Sequence, residues 1–473
     1  ATCPVWRAGA VRRTVTITEQ GRAHVGSLLD VRGRITDLLR RRRRSHFAAG
    51  AILLAAGVFG AARAFPSPEV PELPPQEATP SDVPAPAEAD AGSEAAPVAD
   101  VEAVPTPEPL PAADPATRVP RPEAIRGIYL NAFAAGSARK LDRLIGIANA
   151  TEINTFVIDV KEAGEISYRS AVPLANEIGA TRAHVPNMRA VLDRLKANGI
   201  YPIARIVVFR DPILASARPD LAVQKVDGTG PWEDTHGYRW VDSFNREVWD
   251  YNIEIAREAI RLGFSEIQWD YVRFPDVPLS HMRTADWPAR QGRTKEDAIR
   301  EFLVYANEKL ADLEVPVTAD VFGLTTSAGD DLGIGQRWSK MVDVTDALLP
   351  MVYPSHYAPG SYGIALPNAE PYQVVKTALA HARKRTDGVE NAGRVIPWLQ
   401  DFTLGQPRYS PWHVREQIRA VYDSGYDEWI LWHPGSNYSE AALATADGVE
   451  PRLARPEEEP VHRGPRVLGV PVQ

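Results

Sequence analysis

Eight short runs rich in β-branched and aromatic residues recur between residues 126 and 434, and a stretch with helical periodicity separates most of them from the next. The runs are RGIYLNAF (126–133), NTFVIDVKE (154–162), YPIARIVVFRD (201–211), EIQWDYVRF (266–274), PVTADVFG (316–323), ALLPMVYPSHY (347–357), VIPWLQDF (395–402) and YDEWILWHP (426–434). Between the first two, Leu141, Leu144, Ile145 and Ala148 fall on one helical face. Between the next two, Met188, Val191, Leu192 and Leu195 do the same, and Gly199 stands where a helix C′ residue belongs. Strands alternating with helices build right-handed βαβ units and a parallel sheet, and eight units close a (β/α)8 TIM barrel. An open doubly wound sheet would want a glycine-rich phosphate turn after its first strand, and LNAFAAGSARK carries no GxGxxG. The predicted barrel domain, 123–446, exceeds the ~250 residues typical of the fold, and the excess falls after strands 3, 4 and 6.

The flanks read differently. Five arginines at 40–44 precede an uncharged apolar run from Phe47 to Ala62. That run is short for a spanning helix, which needs roughly 17–25 residues. Positive charge before it would hold the N-terminus in the cytoplasm, and Ala62-Arg63-Ala64 fits a small-x-small cleavage site. The expectation is a basic cytoplasmic segment over 1–46 and a single-pass membrane anchor or signal h-region over 47–65. The barrel would then be exported to the periplasm or cell surface, or secreted if the leader is cleaved. Residues 66–122, where proline, alanine and acidic residues concentrate, offer few large apolar side chains to offset ordering entropy, so an extended, disordered tether is expected there, and a similar tail over 447–473. The single cysteine, Cys3, excludes an intrachain disulfide, and no Cys/His zinc pattern is present. A net charge of −8 gives no electrostatic reason to expect nucleic acid as a partner. No cofactor is expected, and oligomeric state stays open.

Parallel strands of such a barrel are buried on both faces and should be apolar throughout. Here the apolar character fails at the same end of nearly every run. Strand 2 ends in Asp159, Lys161 and Glu162; strand 3 in Arg205, Arg210 and Asp211; strand 4 in Gln268, Asp270 and Arg273. Asp320 follows on strand 5, Tyr353 and His356 on strand 6, Gln400 and Asp401 on strand 7, and His433 on strand 8. The C-terminal strand ends form the active-site face of this fold. Period-two alternation puts Gln268 and Asp270 on one face, Asp159 and Lys161 on one face, and Asp320 with Thr318 and Phe322. Strands 4 and 5 are neighbours, so two inward carboxylates near their ends fall about 5–9 Å apart, the separation used to cleave glycosidic bonds. One must be ionised as nucleophile or base, and the other protonated as acid.

Asp270 and Asp320 are therefore the leading catalytic pair, with Asp159, Glu162 and Asp401 as further carboxylate candidates. Lys161, Arg205 and Arg273 would stabilise charge and contact substrate, together with Tyr353, His356, Trp398 and His433. Trp232, Trp240 and Trp287 fall in the long loops after strands 3 and 4, where exposed rings would suit the apolar face of a sugar. His356 and His433 have no partner at metal spacing, so no metal site is assigned. A polysaccharide is the expected substrate. A glycan-binding barrel without turnover is the alternative, and a divalent ion held by Asp159, Asp270 and Asp320 would mark a metal-dependent hydrolase instead.

RGIYLNAF, NTFVIDVKEAGEISY, YPIARIVVFRDP, EIQWDYVRFP and VTADVFG together resemble a bacterial family of glycoside hydrolase domains once grouped as of unknown function, distantly related to the α-amylase-like barrels. The similarity spans about 124–440. It implies a TIM barrel and glycan hydrolysis. The strand-4 aspartate of amylase-type barrels is the nucleophile, which the resemblance carries to Asp270. Two positions depart from that pattern: Asp320 stands where a strand-5 glutamate would be the acid, and Gln268 where an arginine would precede the nucleophile by two.

Overall fold

A computed structural model describes residues 118–456. The basic segment, the apolar run, the linker up to residue 117 and the tail from residue 457 lie outside the described residues. Among the described residues, no helix is long and apolar enough to cross a membrane.

All eight runs form strands: β1 (Arg126–Leu130), β2 (Thr155–Glu162), β3 (Tyr201–Val207), β4 (Glu266–Asp270), β5 (Val317–Phe322), β6 (Ala347–Met351), β7 in two pieces (Arg394–Val395 and Trp398–Gln400) and β8 (Trp429–Trp432). Each pairs in parallel with the next, and β1 pairs with both β2 and β8, so the ring closes. Seven helices cover it: α1 (Ala138–Ala150), α2 (Met188–Ala197), α3 (Arg246–Leu262), α4 (Lys295–Leu310), the short α5 (Trp338–Met341), α6 (Pro371–Thr386) and α7 (Pro411–Asp423). Polar caps start four of them. Ser137, Asn187, Asn245 and Thr294 each accept a first-turn amide that has no partner inside the helix. Gly263, at φ 122, lets the chain leave α3 where a side chain would be strained.

Period two sorts the strand residues into two cores. Ile128, Phe156, Ile158, Ile206, Trp269, Val321, Leu348 and Leu431 face the helices. Tyr129, Val157, Ile203, Leu349, Trp398 and Ile430 fill the interior. Val119 and Ile125 join that inner core, and the Val119 carbonyl accepts from Ser265 just before β4. Arg121 pairs with Glu428 at 2.6 Å. Residues that composition assigns to the linker thus stop the base of the barrel. Toward the C-terminus of the domain Arg415 bridges Glu152 and Glu450 at 3.1 and 2.9 Å, so packing also continues past residue 446. The long loops after β3 and β4 are knitted together, because Gln224–Lys225 pairs antiparallel with Ala285–Asp286.

Candidate active site at the barrel mouth

Arg205 organises the C-terminal face. It leaves β3 pointing inward and is 3% exposed. Its Nε and Nη2 donate to Asp270 Oδ2 at 2.9 and 2.5 Å, and its Nη1 to Asp159 Oδ1 at 2.5 Å and Glu162 Oε2 at 2.7 Å. One guanidinium thus ties together acids from β2 and β4. Below it, Tyr129 and Trp432 stack with centroids 3.9 Å apart, and the Arg205 carbon lies 5.6 and 5.4 Å from those rings. Tyr129 also donates to Asp159 Oδ2 at 2.5 Å.

Asp270 closes β4 and takes a third donor, the Tyr271 amide, at 2.5 Å. Tyr271 adopts φ 48, a left-handed turn that tyrosine pays for in strain, and this turn brings the amide back onto the carboxylate. Gln268 is the register partner of Arg205. A guanidinium therefore reaches Asp270 from the neighbouring strand, beside Gln268.

Asp320 faces the same interior from β5. Trp269 stands opposite Ala319 in the ladder, so Asp270 and Asp320 follow side by side at the next step. Asp320 accepts from Gln268 Nε2 at 2.8 and 2.9 Å and from Trp398 Nε1 at 2.6 Å. Burial and the nearby charge of Asp270 push its pKa well above the usual carboxylate range, and these outweigh its two donors. Burial raises Asp159 to about 6, with Arg205 pulling the other way. Burial acts on Glu162 too, but Arg205 and Arg210 outweigh it and hold that carboxyl below its usual range. The result is neighbouring carboxyl groups with opposite protonation preferences, the arrangement that acid–base catalysis requires. Tyr353 lies beside the pair: burial raises its hydroxyl, and the charges of Asp320 and Asp270 add to that.

Several expected contacts are overturned. Lys161 does not share a face with Asp159. A bulge between them shifts the register, and Lys161 turns out to the helix layer, fully buried. There it pairs with Asp211 at 2.7 Å and donates to Asn252 and the Val207 carbonyl. Trp232 and Trp240 are not exposed rim rings; they are 1% and 2% exposed. Trp232 donates to Thr284 and Trp240 to Asp234, within the joined loops after β3 and β4. Trp287 is likewise buried, against Phe274. Trp398 is buried as well; it holds Asp320 and packs edge-on against Trp432. Asp401 accepts from the Ser439 amide at 2.8 Å and its hydroxyl at 2.7 Å, which latches the loop after β8. Burial raises it to about 7, but it touches none of the other acids. His433 accepts from the Gly435 amide within its own turn, and burial lowers it to about 4. His356, lowered to about 4 by burial, packs edge-on to Tyr353 and Phe402, and its Nε2 is buried without a partner among the described residues. No group of three or more metal-ligating side chains is assembled among the described residues, and Arg205 stands between Asp159 and Asp270.

Tyr129 and Trp432 escaped sequence reading, although the period that places Asp270 inward also places them inward.

No curated protein matches this chain. Among solved structures, a hypothetical protein from Ruminiclostridium thermocellum is 39% identical, covering 44% of this chain and 98% of its own, with a TM-score of 0.38. The glycoside hydrolase domain of PgaB (BpsB) from Bordetella bronchiseptica is 14% identical over 68% of this chain and 99% of its own, with a TM-score of 0.49. That of PelA from Pseudomonas aeruginosa is 12% identical over 70% and 100%, with a TM-score of 0.37. Residues 127–438, which hold the whole closed ring and every acid at its mouth, match the family described as "Putative glycosyl hydrolase domain", and the chain belongs to that family.

Proposed function

We propose that the barrel hydrolyses glycosidic bonds of an envelope or extracellular polysaccharide, with Asp270 as nucleophile or base and Asp320 as acid. One observation carries the reading. Two carboxyl groups adjacent on β4 and β5 meet opposite environments: Asp270 receives two guanidinium N–H bonds, while burial and that neighbouring charge favour the protonated form of Asp320. A protonated acid can donate to the leaving oxygen while the ionised partner attacks the anomeric carbon or activates water. Arg205 positions Asp270, and Tyr353, close enough to feel the charges of both acids, is assigned to a sugar hydroxyl. The apolar run after Arg40–Arg44 supports an exported, membrane-tethered barrel.

The test is release of reducing ends from a polysaccharide panel that includes peptidoglycan. On a substrate so found, Asp270→Asn and Asp320→Asn should each lower the rate by orders of magnitude. A parental rate in Asp270→Asn would remove the assignment. A second reading, a glycan-binding barrel without turnover, is favoured by how closed the acid is: Asp320 is only 1% exposed. It predicts tight glycan binding, no released ends, and binding that survives Asp320→Asn.

A further inference from the structure

Among the described residues, Arg273 is a cation without an anion. It follows Asp270 by three residues and lies over three rings, 4.6 Å from Tyr271, 4.8 Å from Phe322 and 5.3 Å from Trp240. Its one hydrogen bond is local, from Nη1 to the Phe274 carbonyl at 3.0 Å. Among the described residues no carboxylate comes within salt-bridge distance of it. Asp276 and Asp270 attract it only from farther off, and Arg210 repels it. Its environment is desolvating enough to pull even a guanidinium below its usual range. Arg273 is partly buried, so an unpaired charge there loses some of its hydration and would gain from a partner.

The position says where that partner would be. Phe322 shares the inward face of β5 with Asp320 and lies one step nearer the mouth. A guanidinium over Phe322 therefore stands above the Asp270–Asp320 pair, on the β4–β5 side. The opposite side is already matched in charge. There Glu162 accepts from both Arg205 and Arg210, and Arg205 also holds Asp159. Arg210 and Arg273 clasp Tyr271 between them, with guanidinium carbons 3.9 and 4.6 Å from its ring centre. Free N–H groups fixed by three rings form a planar fork, and a carboxylate fits such a fork in bidentate fashion.

We propose that the substrate is an acidic polysaccharide and that Arg273 binds the carboxylate of a uronic-acid-type sugar seated over Asp270 and Asp320. The inference rests on the hydrolase reading for its position, not for its chemistry.

Polysaccharides containing glucuronate, galacturonate or mannuronate are offered to the full chain, each beside its carboxyl-reduced neutral form, with a sulfated glycan as a further arm. Binding and cleavage are read separately. At least one acidic polymer should be preferred tenfold or more over its reduced form. Arg273→Gln should narrow that gap to within about threefold, and Arg273→Lys should restore part of it, which separates lost charge from lost fold. The proposal is overturned if no acidic polymer is preferred, if Arg273→Gln leaves the preference intact, if Arg273→Lys restores none of it, or if sulfate alone is selected. Preference without cleavage would instead remove the hydrolase reading and leave this site standing. Cleavage without preference would do the reverse.

Discussion

Strand β4 carries an acid at each end of one inward face, and the two have different fates. Glu266, at the base, is closed off from water; among the described residues its hydrogen-bond donors are the Tyr201 hydroxyl at 3.1 Å and the Thr318 hydroxyl at 3.3 Å, with the Arg121 charge acting on it from farther off. Burial raises it to about 7. Asp270, four residues on, meets Arg205 and the Tyr271 amide. Both face the same interior and both are nearly buried. What separates them is the company of donors: hydroxyls suit a neutral acid, and a guanidinium suits an anion. A buried acid is therefore no functional signal by itself. Its position along the strand decides whether it steadies the base or meets a substrate.

The widest break in that comparison should come from neutralising each acid in turn. Asp270→Asn should lose on the order of a thousandfold or more in rate with little change in melting temperature. Glu266→Gln should keep the rate within a few-fold. Equal losses from both would mean that the base and the mouth are not functionally distinct. Cation removal sharpens the same contrast in stability. Lys161→Met strands Asp211 in the helix layer and should cost about 3–5 kcal/mol in denaturant unfolding, with the rate per folded molecule nearly unchanged. Arg205→Lys keeps one charge but loses the fork that three acids share, so its rate should fall far more than its stability. If Lys161→Met silenced the folded protein, Lys161 would belong to the mouth after all.

The ring itself was legible because its signal is local and repeated: eight runs, period two in the strands, capped helices between. The inward direction of Asp270 and Asp320 was legible for the same reason, since alternation along an unbroken strand keeps its phase. Lys161 was not. One bulged residue in β2 reverses every later face, and only the register with β3 reveals it. Trp232 and Trp240 were misplaced because loop composition says nothing about whether two loops pair. Here the loops after β3 and β4 join, and their rings pack into the main core between strands and helices. Arg205 was legible as a charge but not as a hub, because sharing one guanidinium among β2 and β4 acids depends on strand order in the closed ring.

The smallest effect is the most discriminating for the base. Glu266 has a folded pKa of about 7, above its ordinary value of 4.5. The native state therefore binds this proton more tightly than the unfolded chain does. Its contribution to stability is fully present below about pH 4.5 and is lost as pH rises through about 7. Asp159, at about 6, and Asp401, at about 7, lose stability across an overlapping window, while His356 and His433, lowered to about 4, gain it as pH rises toward 6.5, so the Glu266 share of the pH slope is read from the variant against the parent. Glu266→Gln keeps a neutral, similarly shaped group and removes only its own share of that slope. The variant should match the parent near pH 5 and exceed it by about 1–3 kcal/mol at pH 8. Denaturant titrations at pH 5, 6.5 and 8 measure the difference directly. A gap that does not change with pH would mean Glu266 is already ionised in the fold, and the contrast with Asp270 would collapse.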